Sequence, residues 1–523
     1  MRRATSVVGW LVVVLVGAGI LGLVYGFSLT PRLAAGQRVI DNLDPAFTKD
    51  AAAGDRAGIN FLSTSVNTLD PIVTEKGGAA SEVPELVAFV SAKTGLSQAQ
   101  VLAALQQKYP HATALLKAIP LTSVNSEIPQ LVQFLATTLN TTPDGVLAAL
   151  KQNFPHIYQA VTTLPVVTKG WDGVPGTENL TRFNGAPVRT APQVRDYYSA
   201  DVIPVVERNT TNMQQLHDWY PKVTVFPVLL TVVGGLALGL GLIMLVFTLA
   251  VKRGRAVKMT AWAAVFLVGA VVFGLVFGLR LFVRLGGGHH LVYDAARVMT
   301  TERLAGDQAS ISYVGSVVDL ADPIVTEAGG ASAEVPKLVA FVSSKTGLSG
   351  AKVLKVLNKN FPHTTALLQA IPLSAVTAEL PDLVSFLGTT LNLSPAEALG
   401  ALNANFPHLA QAITNLPAVS NGWNAVPGTA AGSQLHTAVG VKDYFATTVI
   451  PALAANKSDF DELNGHWPPL ILVAPVLFAV SAVVMLWSAI FFFACLGAGP
   501  WRTAPGNYLD PAPRTAARTP AHV

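Results

Sequence analysis

Four histidines share one context in this chain: His111, His156, His363 and His408 each follow an aromatic residue and a proline, beginning with Tyr109-Pro110 and Phe154-Pro155 and again at Phe361-Pro362 and Phe406-Pro407. Imidazole binds metals and titrates near neutrality, so a recurring histidine invites a metal or proton-transfer reading. The spacing argues the other way. A histidine placed just after a helix-starting proline has no second ligand within a helical turn or a short loop, so a metal would require histidines from different copies to converge. They read as helix-end residues, and neither a metal nor a cofactor is expected.

A second set is acidic and aromatic. Asp70-Pro-Ile-Val-Thr-Glu75 precedes a double glycine and recurs as Asp322-Pro-Ile-Val-Thr-Glu327 before another. Asp70, Glu75, Asp322 and Glu327 have the chemistry to line a polar pocket, and the same chemistry orders a turn. Trp171 and Trp423, each in a Gly-Trp pair shortly before Pro-Gly, can line a cleft or anchor a loop. These six are the binding candidates, and no catalytic residue is assigned. The chain has no Walker phosphate loop, no Gly-rich dinucleotide turn, no HExxH and no paired cysteines. Its one cysteine, Cys495, permits no intrachain disulfide.

The elements that must position these residues begin with lipid. Charged residues make up 13% of the chain, against about 25% in soluble proteins, so part of it must face hydrocarbon. Four uncharged stretches, residues 7–27, 223–251, 259–279 and 470–497, each exceed the roughly 20 helical residues that cross a bilayer core. A cleaved signal peptide is the rival reading of the first, but its apolar run is longer than the usual signal core of about 7 to 15 residues.

Charge then sorts the segments by side. Residues 28–222 hold 15 Lys/Arg and 16 Asp/Glu, and residues 284–468 hold 10 and 14, so both are slightly acidic. The short loop 252–258 and the two ends, 1–6 and 498–523, hold nine Lys/Arg against Asp510 alone. The positive-inside rule puts the ends and the short loop in the cytoplasm, at the plasma membrane, and both long segments outside. Trp10 and Trp262 at the inner ends, with Trp219 and Trp467 at the outer ends, suit interfacial aromatic belts. Nucleic acid is excluded as a partner, since the large segments are acidic and face outward.

Repetition dominates the rest. Equivalent motifs lie 252 residues apart, from Gly17 and Gly269 through Asp70 and Asp322 to Trp171 and Trp423, so a whole span-domain-span unit is duplicated. Inside each half a 45-residue period relates Glu82-Val-Pro84 to Glu127-Ile-Pro129, and Glu334 to Glu379. The repeats run 82–126, 127–171, 334–378 and 379–423. Each reads as three short helices: one starting near Pro84 and ended by Gly95, one capped by Ser97, and one starting at Pro110. Neighbouring copies must pack together, because one copy cannot bury both of its faces. The tail after Trp501 reads as disordered.

The expected fold is therefore an all-α membrane protein of four transmembrane helices and two tandem-duplicated extracytoplasmic helical domains, 28–222 and 280–469, each with two repeats of about 45 residues. Small-residue ridges, Ala18-Gly22-Gly26 and Ala270-Gly274-Gly278 with Gly235 and Gly239, are spaced for close helix contact and are expected to pack the two halves. The leading functional expectation is a non-enzymatic cell-envelope protein whose outer domains bind a partner protein or an apolar envelope molecule. The alternatives are a component conducting lipid between the halves, and an envelope hydrolase.

Overall fold

The computed structural model describes residues 4–74, 78–118, 121–217, 221–250, 255–326, 330–370, 373–464 and 469–497. Among these residues the chain is predominantly helical, with loops such as 171–190, no strand and a single isolated bridge between Thr181 and Pro187. It divides into two compact units, one of residues 1–37, 219–289 and 465–523, the other of residues 38–218 and 290–464. The two long segments, read from sequence as separate domains, thus cluster as one unit.

In the first unit, three helices are long and apolar enough to cross a membrane, spanning Val7–Gly26, Val225–Ala250 and Leu470–Ala494. Two bent helix pairs also pass the test when joined, so the range is three to five. One pair, Trp262–Gly278 with Leu281–Ala296, is bent by 51°. The bend falls at Arg280, whose φ of 45° is left-handed, and Ser28 takes the same conformation after the first helix, at φ 48°. Such a residue ends a right-handed helix and lets another start in a new direction.

The small-residue ridges do not pack the helices. A Cβ added at Gly22, Gly26, Gly235, Gly239, Gly274 or Gly278 meets nothing within 4 Å, Ala18 is exposed and Ala270 only half-buried. The buried stripe of the first helix is Val13, Gly17, Ile20 and Val24, and that of the third is Val265, Gly269, Val272 and Val276. A helix turns about 100° per residue, so the ridge that starts at Ala18 lies that far round from the stripe through Gly17. At Gly17 an added Cβ would stand 2.5 Å from the Leu238 amide nitrogen, and at Gly269 it would stand 2.8 Å from the Met485 side chain. The close glycines therefore pair the helix Val7–Gly26 with Val225–Ala250 and the helix through Gly269 with Leu470–Ala494, and Ile20, Val24, Val272 and Val276 share one apolar cluster. Trp10 and Trp262 are also buried, at 3% and 0% exposure, with Trp262 stacked on Phe491 at 4.7 Å. Both are packing residues of the helix cluster rather than belt residues; Trp219 and Trp467 lie outside the described residues.

In the second unit, the long helices Lys49–Val73 and Thr301–Val325 are followed by three short helices per copy. Local chemistry sets their ends. Thr48 and Thr300 accept from the amides of Ala51 and Arg303 to start the long helices. Gly95 and Gly347 close the next helices in the left-handed conformation, and Ser97 with Gln100 forms a capping box. In the second and fourth copies, Asn140 and Asn392 take the left-handed place at φ 51° and 55°, a role that asparagine tolerates. Pro84 does not start its helix: the helix begins at Ala79, after the extended residue Gly78. Beyond the last copy, five-residue π-helical turns, Tyr198–Val202 and Phe445–Val449, interrupt the returning helices.

Phase, more than the presence of glycine, decides span packing. Gly17→Leu should cost about 1–3 kcal/mol by overpacking, whereas Gly22→Leu and Gly274→Leu should stay within about 0.5 kcal/mol of the parent. Thermal unfolding of the full chain in detergent checks this; equal losses at Gly17 and Gly22 would reject the assigned stripe.

Candidate functional site

The Phe-Pro-His helices lack a cap of their own. At Pro155–Gly170 and Pro407–Gly422 the capping position is Phe154 or Phe406, with no side-chain acceptor. Proline at the first helical position has no N–H, so the next two amides, of the histidine and its successor, are left pointing out of the helix end. Each pair is satisfied by a glutamate from a copy in the opposite half. Glu82 accepts from His408 at 3.2 Å and Leu409 at 2.8 Å, and Glu379 answers at His111 and Ala112, 3.3 and 2.8 Å. Glu334 accepts from His156 at 3.1 Å and Ile157 at 2.9 Å, and Glu127 answers at His363 and Thr364, 3.3 and 2.8 Å. The first copy thus pairs with the fourth, and the second with the third. A carboxylate here satisfies orphan donors and meets the positive end of the helix dipole.

The aromatic residue that gave up capping packs along the same pairs. Phe89 meets Phe406 at 6.0 Å, Tyr109 meets Phe386 at 5.8 Å, Phe134 meets Phe361 at 5.6 Å and Phe154 meets Phe341 at 5.9 Å, all tilted or edge-on. These are the favoured geometries for aromatic pairs.

The four histidines are brought to helix ends, not to one another. Nδ1 of His408 and His156 donates to the capping Glu82 and Glu334, at 2.7 and 2.8 Å. In the other two copies Nδ1 donates to a main-chain carbonyl, His111 to Gln369 at 2.9 Å and His363 to Lys117 at 2.8 Å. Because each partner is an acceptor, the proton sits on Nδ1. No group of three His, Cys, Asp or Glu side chains among the described residues converges as metal ligands do.

Asp70 and Trp171 are brought together, as are Asp322 and Trp423. The Trp171 indole donates to Asp70 at 2.8 Å and the Trp423 indole to Asp322 at 2.9 Å, while Thr74 and Thr326 donate to the same carboxylates. With Trp171 at 1% and Trp423 at 2% exposure and both aspartates half-buried, the tryptophans are buried anchors held by their partners. The glycine before each tryptophan admits a ring from the opposite half: an added Cβ at Gly170 would lie 2.4 Å from Tyr313, and one at Gly422 would lie 2.5 Å from Phe61. Tyr313 also donates to the Val167 carbonyl at 2.9 Å. Glu75 and Glu327 lie outside the described residues.

Where the halves face each other, an apolar cavity of about 140 Å³ opens. Equivalent residues of both halves line it, among them Ile72 and Ile324, Leu115 and Leu367, and Leu164 and Leu416, with Trp423 in the wall. A smaller cavity of about 40 Å³ shares Leu69, Val317 and Trp423 with it and reaches Tyr198. The first unit has its own apolar groove, about 370 Å³ and lined by Leu15, Val272 and Val480 among others.

Two acids were not singled out from sequence. Asp55 and Asp307, on the two long helices, are 4% and 1% exposed. Burial raises both carboxyls to about 7, against smaller opposing effects from the Tyr444 hydroxyl at Asp55 and from Tyr197, Tyr198 and Arg303 at Asp307. The available signal was an acid recurring at the 252-residue offset inside Ala- and Gly-rich helix.

The cross-half caps carry a testable cost. Glu82→Ala and Glu334→Ala should each destabilise the chain by about 1–3 kcal/mol, because two buried amides lose their acceptor. The exposed neighbour Glu85 should lose less than about 0.5 kcal/mol on the same change. Equal thermal shifts for Glu82→Ala and Glu85→Ala would refute the capping role. Compared with protein-family models, with curated proteins and with solved structures, the chain matches none.

Proposed function

We propose that the chain is a four-span plasma-membrane protein with both ends in the cytoplasm, whose duplicated outer segments act together, without catalysis, to bind an apolar group. The observation that carries this reading is the cavity of about 140 Å³ with apolar walls drawn from both halves. An apolar cavity of about 150 Å³ stays dry and accepts benzene, whereas pockets for drug-sized ligands run from about 300 to 1,000 Å³. The cavity volume therefore suits one ring or the end of a branched chain. A whole lipid would need the halves to part, so binding is favoured over conduction. The residues counted first as chemical candidates, the four histidines and the Asp–Trp pairs, serve as the frame around the cavity.

Benzene provides the probe. At ten times its dissociation constant it should stabilise the full chain by about 1.4 kcal/mol. Ala321, in the cavity wall, is the place to fill it: Ala321→Phe should remove that increment while leaving the general effect of benzene on detergent and spans unchanged. An equal thermal shift in the parent and Ala321→Phe would sink the reading.

A further inference from the structure

Asp55 and Asp307 occupy equivalent places on the helices Lys49–Val73 and Thr301–Val325, and each faces a tyrosine from the opposite half. Tyr198 opens the first π-helical turn; its hydroxyl lies 3.4 Å from Asp307 Oδ1, 3.3 Å from the Asp307 carbonyl and 2.9 Å from Ser310 Oγ. Tyr444 immediately precedes the second π-helical turn and faces Asp55, whose buried Oδ1 has no hydrogen-bond partner in the structure. An ionised carboxylate in such a place carries a large desolvation cost, and the group keeps its proton instead. A π-helical turn is rare and often marks a functional site; the first places Tyr198 on Asp307, and Tyr444, which faces Asp55, immediately precedes the second.

We infer that Asp55 and Asp307 form a duplicated, proton-loaded lock between the two halves of the outer unit, closed while both carboxyls are neutral and loosened when they ionise. The titratable groups facing Asp307 are Tyr197 and Tyr198 from the returning helix and Arg303 from its own helix. Facing Asp55 it is Tyr444. Of the other nearby cations, Arg56 pairs with Glu207 and Lys442 with Asp319 and Asp443; Arg303 contacts Thr181 Oγ1, the Arg182 carbonyl and the Phe183 ring while its buried Nη1 makes no hydrogen bond. On the Asp307 side the lock adjoins the apolar cavities, because Tyr198 lines the small one, which shares Leu69, Val317 and Trp423 with the large one. Loosening it would let the halves part around those shared walls. The inference concerns how the cavity is enclosed and stands whether or not an apolar ligand binds there.

The direction of the pH effect follows from the two states. An aspartate in the unfolded chain loses its proton near pH 3.9, whereas both carboxyls here hold theirs up to about 7. Between those values the folded chain binds more protons than the unfolded one. Each carboxyl therefore lowers the folding equilibrium constant by up to about tenfold per pH unit as pH rises through that window, and the loss is complete above pH ~7.

The test uses the full chain in lipid nanodiscs, as the parent and as Asp55→Asn with Asp307→Asn, alone and combined. Infrared difference spectra of the parent should show a protonated-carboxyl band that bleaches as pH is raised through about 7, halved in each single variant and absent in the double. Hydrogen exchange of the two π-helical turns should quicken from pH 5 to pH 8, beyond its intrinsic pH dependence, in the parent only. A parent with no carboxyl band titrating near pH 7, or a double variant that keeps the parental pH response, would overturn the lock. If the double variant does not fold, the single variants decide by the band alone. Benzene stabilisation measured at pH 5 reads the cavity separately, so loss of one result leaves the other standing.

Discussion

The second unit depends on helices that cannot cap themselves. Each of these helices starts with a proline, which has no N–H, after a phenylalanine with no acceptor or, in the first copy, after Tyr109, whose hydroxyl is turned to the Asp382 carbonyl. A glutamate supplied from the opposite half resolves this at all four places. The consequence is topological. Neither half completes the starts of these four helices by itself, and the aromatic pairs and Gly-Trp platforms cross in the same sense. The segments 38–218 and 290–464 therefore form one compact unit, although more than 70 residues of chain, from 219 to 289, separate them.

The cavity follows from the same duplication. Residues at matching places in the two halves line it together, as Ile72 and Ile324 do, and Leu115 and Leu367. Close packing needs large residues opposite small ones. The halves differ at some of these places: Ala321 stands at the place of Leu69, and Leu320 at that of Thr68. About 140 Å³ remains open with apolar walls.

Much of the local architecture was legible in the sequence because local chemistry sets it. Gly95, Ser97 and Pro110 mark helix ends where the backbone requires them, and the 45- and 252-residue periods mark the copies without any knowledge of the fold. Partner choice was not legible. Glu82 was visible as a repeat marker, but whether it serves its own copy, the next copy or the opposite half depends on tertiary geometry that periodicity does not encode. Phase failed for a related reason. Glycine spacing identifies a smooth ridge, but which of two ridges 100° apart meets a neighbour depends on the flanking stripe, and Val13, Ile20 and Val24 outweighed Ala18 and Gly22. Asp55 escaped notice because its significance lies in burial, which the neighbouring Arg56 disguises.

Comparison of the copies separates frame from site. The four capping glutamates and the four histidines are identical in type across all copies, as expected where one backbone geometry must be met four times. The surroundings of the buried acids are not. Around Asp307 stand Tyr198, Ser310 and Arg303; the equivalent positions around Asp55 hold Phe445, Gly58 and Ala51. Asp307 thus has the Tyr198 and Ser310 hydroxyls and a cation near it, whereas Asp55 faces the Tyr444 hydroxyl. Burial, the larger effect on both carboxyls, is common to the two places, while the polar groups that oppose it differ, so the buried position on the long helix rather than a shared polar network sets their chemistry.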